Sequence, residues 1–320
     1  MIKAGIIGGA GYTAGELIRL LVNHPEVEIS FVHSTSNAGK NLYEVHEGLL
    51  GDTALKFCES FSLEDIDVLF LCSAHGASRE FWQTHTCPKR LRVIDLAQDY
   101  RDESEGYVYG LPEWQRDRIR CARKIANPVW YATAIQLALL PLAAAGLLQG
   151  DVNITAITGS TGAGVKPGAS THFSWRNNNV STYKVFEHQH LIEIRRNLSL
   201  LQGSLDGSLN FVPMRGDFAR GIFACVTLEC PLDEAAARKL YEDYYADAAF
   251  TFVYNGSVDL KQVVNTNKCI VSVEKHSGKL VINSVIDNLL KGASGQAVQN
   301  MNLLFALKEN AGLKLKASAF

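Results

Sequence analysis

Short apolar runs alternate with amphipathic stretches over the N-terminal part of the chain. Segments 3–7 and 27–33 are strand-like, and segment 14–23 between them has helical spacing with leucines on one face. Segment 67–72 is almost wholly apolar, as is typical of a strand buried on both faces, and segment 91–96 is a fourth strand-like run. This alternation predicts an α/β fold that begins with a Rossmann-like, doubly wound parallel sheet.

The pattern changes in the second half of the chain. Polar, glycine-rich loops separate the apolar segments there, which favours a mixed or antiparallel sheet over a second doubly wound one. Strands are predicted in segments 153–158, 222–228 and 280–286, and helices in segments 190–201 and 234–245.

Two domains are expected from this division, and 320 residues are enough for two hydrophobic cores. We place a Rossmann-like domain at residues 1–145 and an α+β domain with a mixed or antiparallel sheet at residues 146–287. A long helix is predicted over residues 288–310, and we expect the C-terminal segment 288–320 to pack back on the first domain.

Composition and charge exclude several classes of function. The apolar fraction of 47% and net charge of −2 give no electrostatic basis for binding nucleic acid or an anionic membrane. No apolar run reaches membrane-spanning length, and the N-terminus leads directly into a strand, so neither a span nor a signal peptide is expected. The seven cysteines are scattered, without a CxxC pair, which predicts reduced thiols in the cytoplasm and no metal site.

A glycine-rich turn joins the first predicted strand to the first helix. Gly8, Gly11 and Gly15 lie in it, and Tyr12 and Thr13 stand between the last two glycines. A dinucleotide site needs backbone that the pyrophosphate can approach closely, followed by a helix N-terminus. The spacing alone is equally compatible with a structural turn. Its place at the first strand–helix junction favours a dinucleotide cofactor.

The loop after the second strand bears on which dinucleotide is bound. An acidic residue usually meets the ribose diol of NAD at this point, and none is present. Ser34, Thr35 and Ser36 offer hydroxyl groups, and Lys40 offers a nearby positive charge. These residues favour the 2′-phosphate of NADP over NAD, although an ordinary polar loop would have the same composition.

Segment 125–142 predicts a turn at Asn127-Pro128 that leads into a helix beginning near Tyr131. Unpaired N–H groups and the dipole at a helix start lower the pKa of a thiol, so a reactive cysteine is expected there. The segment resembles the nucleophile turn Asn-Pro-Gly-Cys-Tyr-x-Thr-Ala of N-acetyl-gamma-glutamyl-phosphate reductases. Val129 and Trp130 replace the glycine and the cysteine, whereas the other positions match: Asn127, Pro128, Tyr131, Thr133 and Ala134.

The resemblance covers essentially the whole chain. Blocks similar to the family's motifs occur in order at residues 8–17, 74–76, 95–101, 109–113, 161–164, 188–194, 213–222 and 287–302. Their joint occurrence by chance is negligible, so the chain is identified as a member of this family.

The resemblance implies an NADPH-dependent reduction of N-acetyl-gamma-glutamyl phosphate to N-acetylglutamate semialdehyde and phosphate, in arginine biosynthesis. The family's cysteine attacks the acyl phosphate, phosphate leaves, and hydride reduces the thioester. Its members form homodimers and homotetramers, and residues 146–287 correspond to the substrate and dimerisation domain. Trp130 cannot form a thioester, so this chain is expected to be inactive unless another thiol, such as Cys72 or Cys121, substitutes.

Two alternatives to a reductase remain open. The chain could be a non-catalytic NADP-binding protein on the same scaffold. It could also be a related semialdehyde dehydrogenase, such as an aspartate-semialdehyde dehydrogenase, but that enzyme also needs a cysteine. The blocks at 188–194 and 287–302 look specific to the glutamyl-phosphate branch and disfavour this second alternative.

Roles for individual residues also follow from the resemblance. His190 is the expected acid/base, with His188 or Glu193 beside it; the alternative is a histidine pair that only caps a helix. Glycine at position 129 would permit positive φ, so Val129 is expected to disturb the turn and Trp130 to fill part of the substrate pocket. Further cofactor contacts are expected from His75, Gly162 and Asn288. Substrate contacts are expected from Asn127, Ser160, Lys166, Arg215 and Arg220, with Lys184 a weaker candidate.

Overall fold

The computed structural model describes residues 1–74 and 76–318 and divides the chain into two compact units. The first unit contains Met1–Pro128 and Ala293–Lys314, and the second contains Val129–Gly292 with a short segment that starts at Leu315. The sequence placed the boundary between residues 145 and 146, one helix later. The structure groups that helix, Tyr131–Ala144, with the second unit because it packs on the sheet and helices found there.

The regular elements are numbered in chain order. The helices are α1 (Tyr12–Leu21), α2 (Ala77–Thr84), α3 (Pro112–Cys121), α4 (Tyr131–Ala144), α5 (Phe173–Arg176), α6 (His190–Gln202), α7 (Glu234–Tyr245) and α8 (Gly295–Leu304). The strands are β1 (Ile2–Ile7), β2 (Val27–His33), β3 (Phe57–Cys58), β4 (Val68–Leu71), β5 (Arg92–Asp95), β6 (Tyr107–Tyr109), β7 (Lys124–Ala126), β8 (Val152–Thr158), β9 (Ser181–Thr182), β10 (Leu209–Arg215), β11 (Ile222–Glu229), β12 (Thr251–Val253), β13 (Cys269–His276) and β14 (Lys279–Ile286).

The first unit is built on a parallel sheet with the strand order β3-β2-β1-β4-β5-β7-β6. The chain winds outward from β1 to β3 and then returns to continue on the other side of β1, so the sheet is doubly wound as predicted. Ligands of such sheets bind outside the carboxyl ends of the strands where the order reverses, which here is between β1 and β4.

A C-terminal helix completes the first unit. Helix α8 packs on α1, α3 and β5, and every one of its residues is buried. Its polar side chains are paired with the unit around them; Asn302 Oδ1, for example, lies 3.0 Å from His24 Nε2. The helix starts at Gly295, after the π-helical stretch Leu290–Ser294, so it begins later than residue 288 and ends sooner than the long helix that the sequence predicted.

The second unit is built on a mixed sheet with the strand order β12-β13-β14-β11-β8-β10-β9. Strand pairs β8–β10 and β12–β13 are parallel, and the other neighbours are antiparallel. This confirms the mixed sheet predicted for the C-terminal half. Strands β8, β10 and β11 alternate buried and less buried positions, as expected when one face of a sheet packs on helices.

Helix α4 lies at the centre of the second unit and is buried from Tyr131 to Ala143. Pro141 lies inside it and cannot donate to the carbonyl four residues earlier, that of Leu137. The hydroxyl of Tyr245 on α7 donates to that carbonyl at 2.5 Å, and the hydroxyl of Tyr241 donates to the next one, that of Ala138. Tyr245 therefore satisfies the carbonyl that the proline leaves open, and the two tyrosines together fix α7 against α4.

Two kinds of feature are absent from the part of the chain that the structure describes, residues 1–74 and 76–318. None of the helices there has both the length and the apolar character needed to cross a membrane. Within the same residues, no group of three or more His, Cys, Asp or Glu side chains is arranged to hold a metal ion.

Candidate functional site

Trp130 stands at the start of α4, at the position where the family resemblance places the nucleophile. Its backbone has φ 55° and ψ −123°, an unusual conformation for a bulky residue, and its N–H donates to the carbonyl of Gly292 at 2.7 Å. Val129 is buried but does not have a positive φ. The strained conformation that we expected at residue 129 therefore falls on residue 130 instead.

A cavity of about 210 Å³ lies beside Trp130, within the second unit. Five of its lining residues were predicted as site residues from the sequence: Trp130, Gly162, Lys184, His188 and Arg215. Three others were not: Thr158, Tyr183 and Gln189. The last lining residue, Tyr131, was known only as a motif match. The residues come from the start of α4, the end of β8 and the segment before α6, so widely separated parts of the sequence meet there.

The cavity is cationic. The guanidinium carbon of Arg215 lies 4.6 Å from the centre of the Tyr183 ring, which orients the side chain by a cation–π contact. The Lys184 ammonium donates to Gln189 Oε1 at 3.0 Å. Among the described residues that line the cavity, none is acidic. The site therefore suits a ligand that carries negative charge.

His188 and His190 lie close together before and at the start of α6, and both are buried. Their ring centres are 4.6 Å apart, and the His190 N–H donates to His188 Nδ1 at 3.3 Å. Burial, and to a lesser extent the charges of Lys184 and Arg215, together lower the pKa of His188 to about 4. His188 is therefore neutral at pH 7 and can accept a proton or a hydrogen bond.

His190 is the histidine nearer to the nucleophile position. Its ring centre lies 6.2 Å from that of Trp130, with the ring planes inclined at 37°. Glu193 follows one turn later on α6 and is also buried. The predicted acid/base group and its predicted neighbour thus lie on a helix that packs against α4.

Two tyrosines that the sequence analysis did not single out as site residues are part of the cavity wall. The Tyr131 hydroxyl donates to the Met214 carbonyl at 2.6 Å, and the Tyr131 and Tyr183 hydroxyls share a hydrogen bond. Burial raises the pKa of both tyrosines, so both remain protonated at neutral pH. Tyr131 matched a family motif, but nothing in the pattern of the sequence distinguished Tyr183.

Arg220 does not reach the cavity as we expected. Its guanidinium forms a two-pronged ion pair with the fully buried Asp287, with Nε–Oδ2 and Nη2–Oδ1 distances of 3.0 Å each. The geometry therefore gives Arg220 a role within the fold, since both Asp287 oxygens are engaged. Arg215, the other arginine expected to contact substrate, does line the cavity.

Asn288 also differs from its expected role as a cofactor contact. It is fully buried; Oδ1 accepts from the Gly221 N–H at 2.7 Å, and Nδ2 donates to Thr161 Oγ1 at 2.9 Å. Asn288 therefore holds in place the short 3₁₀ turn Ser160–Ala163, which contributes Gly162 to the cavity.

The other expected members of that loop contribute less. The Ser160 and Thr161 N–H groups donate to the carbonyls of Phe218 and Ala219, at 2.8 and 3.2 Å, so they are already used within the fold. Lys166 is exposed and is not part of the cavity wall. An anion at this loop would therefore meet Gly162 rather than a row of consecutive amides.

Asn127, the remaining expected substrate contact, belongs to the first unit and is fully buried there. Its Nδ2 donates to the carbonyls of Pro128 and Ala293, at 2.9 and 3.0 Å, and its Oδ1 accepts from Asn300 Nδ2 at 2.9 Å. With these bonds in place, Asn127 fixes the turn and has no surface with which to touch a substrate.

The glycine turn after β1 has the geometry that a dinucleotide site needs. Gly8 has φ +78°, and a side chain there would meet the Cys72 backbone at 2.9 Å, so only glycine allows the ends of β1 and β4 to approach. Gly11 caps α1 and has open space where a side chain would be, with Tyr12 exposed and Thr13 half-buried beside it. Gly15 leaves room for the His46 ring, whose Nε2 lies 2.7 Å from the Gly9 carbonyl oxygen.

The loop after β2 is polar and open. Thr35 and Ser36 are exposed, whereas Ser34 is buried and its hydroxyl accepts from Asn37 Nδ2 at 3.3 Å. The Lys40 ammonium donates to Asn37 Oδ1 at 3.2 Å, which keeps its charge beside the loop. The expected cofactor contact His75 lies outside the described residues.

Cys72, one of the two thiols considered as a substitute nucleophile, lies in an environment that disfavours the thiolate. Burial raises the pKa of Cys72, and neighbouring Asp95 raises it further, so Cys72 is a thiol rather than a thiolate. Burial also raises the pKa of Asp95, to about 6; its Oδ1 accepts from Ser78 Oγ at 2.9 Å. Cys121 is exposed.

Comparison with known proteins gives a consistent assignment. The model for the semialdehyde dehydrogenase NAD-binding domain matches residues 3–122, and the model for the semialdehyde dehydrogenase dimerisation domain matches residues 131–288. The N-acetyl-gamma-glutamyl-phosphate reductases of Bacteroides thetaiotaomicron and Flavobacterium johnsoniae are 58% and 51% identical to the chain, each over the full length of both proteins.

Solved structures with the same fold are aspartate semialdehyde dehydrogenases. The aspartate semialdehyde dehydrogenase II of Vibrio cholerae, complexed with ASA, has a TM-score of 0.75 at 17% identity. The match covers 96% of this chain and 98% of the Vibrio chain. That of Candida albicans, with NADP, has a TM-score of 0.70 at 14% identity and covers 97% and 99%. Such low identities establish only the shared fold, whereas the full-length relatives establish the branch. The chain belongs to the N-acetyl-gamma-glutamyl-phosphate reductase family, which is a family of oxidoreductases of the semialdehyde dehydrogenase type.

Proposed function

We propose that this chain has the binding apparatus for the NADPH-dependent reduction of N-acetyl-gamma-glutamyl phosphate to N-acetylglutamate semialdehyde and phosphate, and that Trp130 removes the covalent step. The observation that carries the proposal is the position of Trp130: it begins α4, lines a cationic cavity and lies 6.2 Å from His190 between ring centres. We expect the protein to bind both NADPH and N-acetyl-gamma-glutamyl phosphate without turnover.

Each part of the cavity has a role in this proposal. Arg215 and Lys184 bind the anionic groups of the substrate, because an acyl phosphate that also bears a carboxylate needs paired cations. His190 is the acid/base group, and the neutral His188 supports it. Acyl transfer to the protein would require a nucleophile at the start of α4, and an indole ring cannot supply one.

The cofactor is proposed to bind at the glycine turn of the first unit. Gly8 and Gly11 present backbone that a pyrophosphate can approach, and α1 begins directly after them. Lys40 and the hydroxyls of Ser34–Ser36 favour an NADP cofactor, whose reduced form, NADPH, would supply the hydride when bound. The NADP complex of the Candida albicans aspartate semialdehyde dehydrogenase, a protein of the same fold, is consistent with this choice.

The test is a steady-state assay of phosphate-dependent NADP reduction with N-acetylglutamate semialdehyde as substrate. The unaltered chain, Trp130→Cys and Val129→Gly/Trp130→Cys are compared at equal concentration. The unaltered chain should show no rate above background, and the cysteine variants should show one. Turnover by the unaltered chain that a thiol reagent abolishes would point to a substitute cysteine and contradict the proposal.

We also propose a homodimer or homotetramer, located in the cytoplasm. The second unit matches a domain named for dimerisation and exposes several large apolar side chains: Phe173, Trp175, Val180, Phe186 and Ile192. All seven cysteines are free, as expected in a reducing compartment. Light scattering coupled to size-exclusion chromatography measures the assembly, and a monomer at micromolar concentration would contradict it.

A further inference from the structure

Arg176 is the only buried residue in the segment 163–187, every residue of which the structure describes. Its exposed fraction is 4%, whereas the segment exposes large apolar side chains such as Phe173, at 80%, and Trp175, at 50%. Ordering a chain segment costs conformational entropy, which burial of apolar surface usually offsets. This segment buries a charged side chain instead, so the contacts of Arg176 need an explanation.

The Arg176 guanidinium joins separate parts of the segment 163–187 to the end of β10. Nη1 donates to the carbonyls of Asn179 and Arg215, at 3.1 and 2.8 Å. Nη2 donates to the Ser170 carbonyl and to Ser181 Oγ, at 3.0 Å each. Its acceptors among residues 1–74 and 76–318 are thus carbonyl and hydroxyl oxygens, and none is a carboxylate. Burying a cation without a counter-ion costs free energy, but the planar fork of N–H donors suits several fixed acceptors at once.

The backbone that Arg176 holds carries two side chains of the cavity at the start of α4. Arg215, whose carbonyl accepts from Arg176, lines this cavity with its side chain. Strand β9 pairs with the same end of β10, with Ser181 opposite Arg215, and the Tyr183 N–H donates to the Pro213 carbonyl at 3.1 Å. The Tyr183 ring therefore stays beside the Arg215 guanidinium, 4.6 Å from its central carbon. Arg176 itself is not part of the cavity wall.

We propose that Arg176 is a positioning residue for the reaction, because it clamps the segment 163–187 to the end of β10. Through this backbone it holds the side chains of Arg215 and Tyr183 in the wall of the substrate site. The inference rests on the proposed function, since the cavity must be the substrate site for the clamp to affect the reaction. It goes beyond that function by giving a role to a residue outside the cavity. Replacing Arg176 should release the segment and leave the rest of the second unit folded.

The first measurement is hydrogen–deuterium exchange of the full chain, compared between the unaltered protein and Arg176→Lys. Lysine keeps the charge, but its single Nζ cannot reach the four separate acceptors. The N–H groups of Tyr183 and Phe186 donate to carbonyls of β10 and should exchange about tenfold faster or more in this variant. The amides of α7 should exchange at their original rates, because the rest of the unit remains folded.

Ser181→Ala is a milder second variant, which serves if Arg176→Lys fails to fold. It removes one acceptor of the same guanidinium and should speed the same exchange by a smaller factor.

The matched control is Arg195→Lys. Arg195 lies on α6 and uses the same chemistry, since its Nη1 and Nη2 donate to the carbonyls of Leu205 and Gly207, at 3.2 and 2.9 Å. Those residues are not part of the cavity wall. Exchange in this variant should become faster around residues 205–207 and stay unchanged at Tyr183.

The second measurement separates positioning from a purely structural role, and it uses the steady-state assay in the Trp130→Cys background. Adding Arg176→Lys should raise the KM of at least one anionic reactant, N-acetylglutamate semialdehyde or phosphate, by about tenfold. The KM of NADP should not change. A purely structural role would lower the amount of active protein, and hence the apparent kcat, without changing any KM. Arg195→Lys should leave every KM unchanged.

Two results would overturn the inference: unchanged exchange at Tyr183 and Phe186 in folded Arg176→Lys, or faster exchange there with every KM unchanged. Inactivity of Trp130→Cys would contradict the proposed function instead. The exchange measurement needs no turnover, so it would still decide whether Arg176 clamps the segment 163–187.

Discussion

The aromatic rings of Trp130 and His190 lie with their centres 6.2 Å apart, one at the start of α4 and the other at the start of α6. A smaller side chain at residue 130 would lie next to the histidine that the family resemblance assigns to proton transfer. We therefore expect residue 130 to be the position at which a nucleophile would act, and its backbone already has the unusual φ of 55°.

Trp130→Cys alone should restore most of the reductase activity. The positive φ lies at residue 130 and not at Val129, so the single change places a thiol on a backbone that is already in position. Nucleophile loss typically costs about 10⁴- to 10⁶-fold, and we expect recovery of a large part of that factor. Adding Val129→Gly should change kcat by less than about tenfold, although it removes a buried side chain and should lower thermal stability.

The control for this rescue is His190→Asn in the Trp130→Cys background. Loss of a general acid/base group costs about 10²- to 10⁴-fold, so the variant should lose most of the regained kcat while still binding NADPH. A double variant Val129→Gly/Trp130→Cys at least a hundredfold faster than the single one would show that Val129 does displace the turn.

Arg220→Ala should destabilise the second unit. The change leaves the fully buried Asp287 carboxylate without its cation, and breaking a buried ion pair in this way costs about 3–5 kcal/mol. The midpoint of urea unfolding should fall accordingly. Lys239→Ala is the control, since Lys239 and Asp243 form an exposed pair and its loss should leave the midpoint unchanged. An unchanged midpoint in Arg220→Ala would contradict a structural role for Arg220 and would favour the expected role in binding substrate.

His188 should make stability depend on pH in the acidic range. Its pKa is about 4 in the folded protein, through burial and the charges of Lys184 and Arg215, against an ordinary value of 6.5. Between these two pKa values the unfolded chain binds a proton that the folded chain does not. The contribution of neutral His188 to the free energy of unfolding is therefore complete above pH 6.5 and is lost as the pH falls towards 4. His188→Gln should therefore flatten the acid limb of the stability profile.

Asp95 should make stability change with pH in the opposite direction from His188. Its pKa is raised from 3.8 to about 6 by burial, so the folded protein binds a proton that the unfolded chain releases between these values. This residue therefore opposes folding above pH 6, and the opposition fades as the pH falls. Asp95→Asn should gain stability relative to the unaltered chain above pH 6, and chemical unfolding at several pH values measures both variants. Parallel profiles for all three proteins would contradict both assignments.

NADPH should bind more tightly than NADH to the unaltered chain. Lys40 offers a cation beside the loop after β2, held by its hydrogen bond to Asn37, and no carboxylate in that loop would repel the 2′-phosphate. Lys40→Glu should reduce the preference by about tenfold or more, with little effect on NADH. Calorimetry measures both affinities, and failure to bind either nucleotide would count against a dinucleotide site at Gly8–Gly15.

Sequence pattern predicted the architecture well where one physical rule dominated. Helix α7 was predicted at its observed bounds because its apolar positions recur on one face. The predicted glycine turn, with Gly8 and Gly11, lies after β1, where the strand order of the sheet reverses. Strand β10 was not predicted, since it contains Pro213, a residue that argues against a central strand. Helix α4 is buried on all sides, so its apolar residues could not show to which unit it belongs.

The candidate site was harder to predict than the fold. A motif match identifies a position that matters but does not tell a ligand contact from a scaffold contact. Asn127, Asn288 and Arg220 all matched family blocks, and all three use their polar groups within the protein. Tyr183 contacts Arg215, which is distant from it in the sequence, and such a long-range contact leaves no local pattern in the sequence.

The hydrogen bond from Asn300 to Asn127 joins residues 173 positions apart and has a consequence for biosynthesis. Helix α8, which carries Asn300, is synthesised after residues Val129–Gly292 of the second unit, yet it completes the core of the first. The faces of α1 and α3 that receive it stay open to solvent until α8 has been synthesised, and closing so long a loop slows folding. The nascent chain therefore exposes an incomplete N-terminal core while the second unit is being synthesised, and exposed apolar surface of this kind favours aggregation.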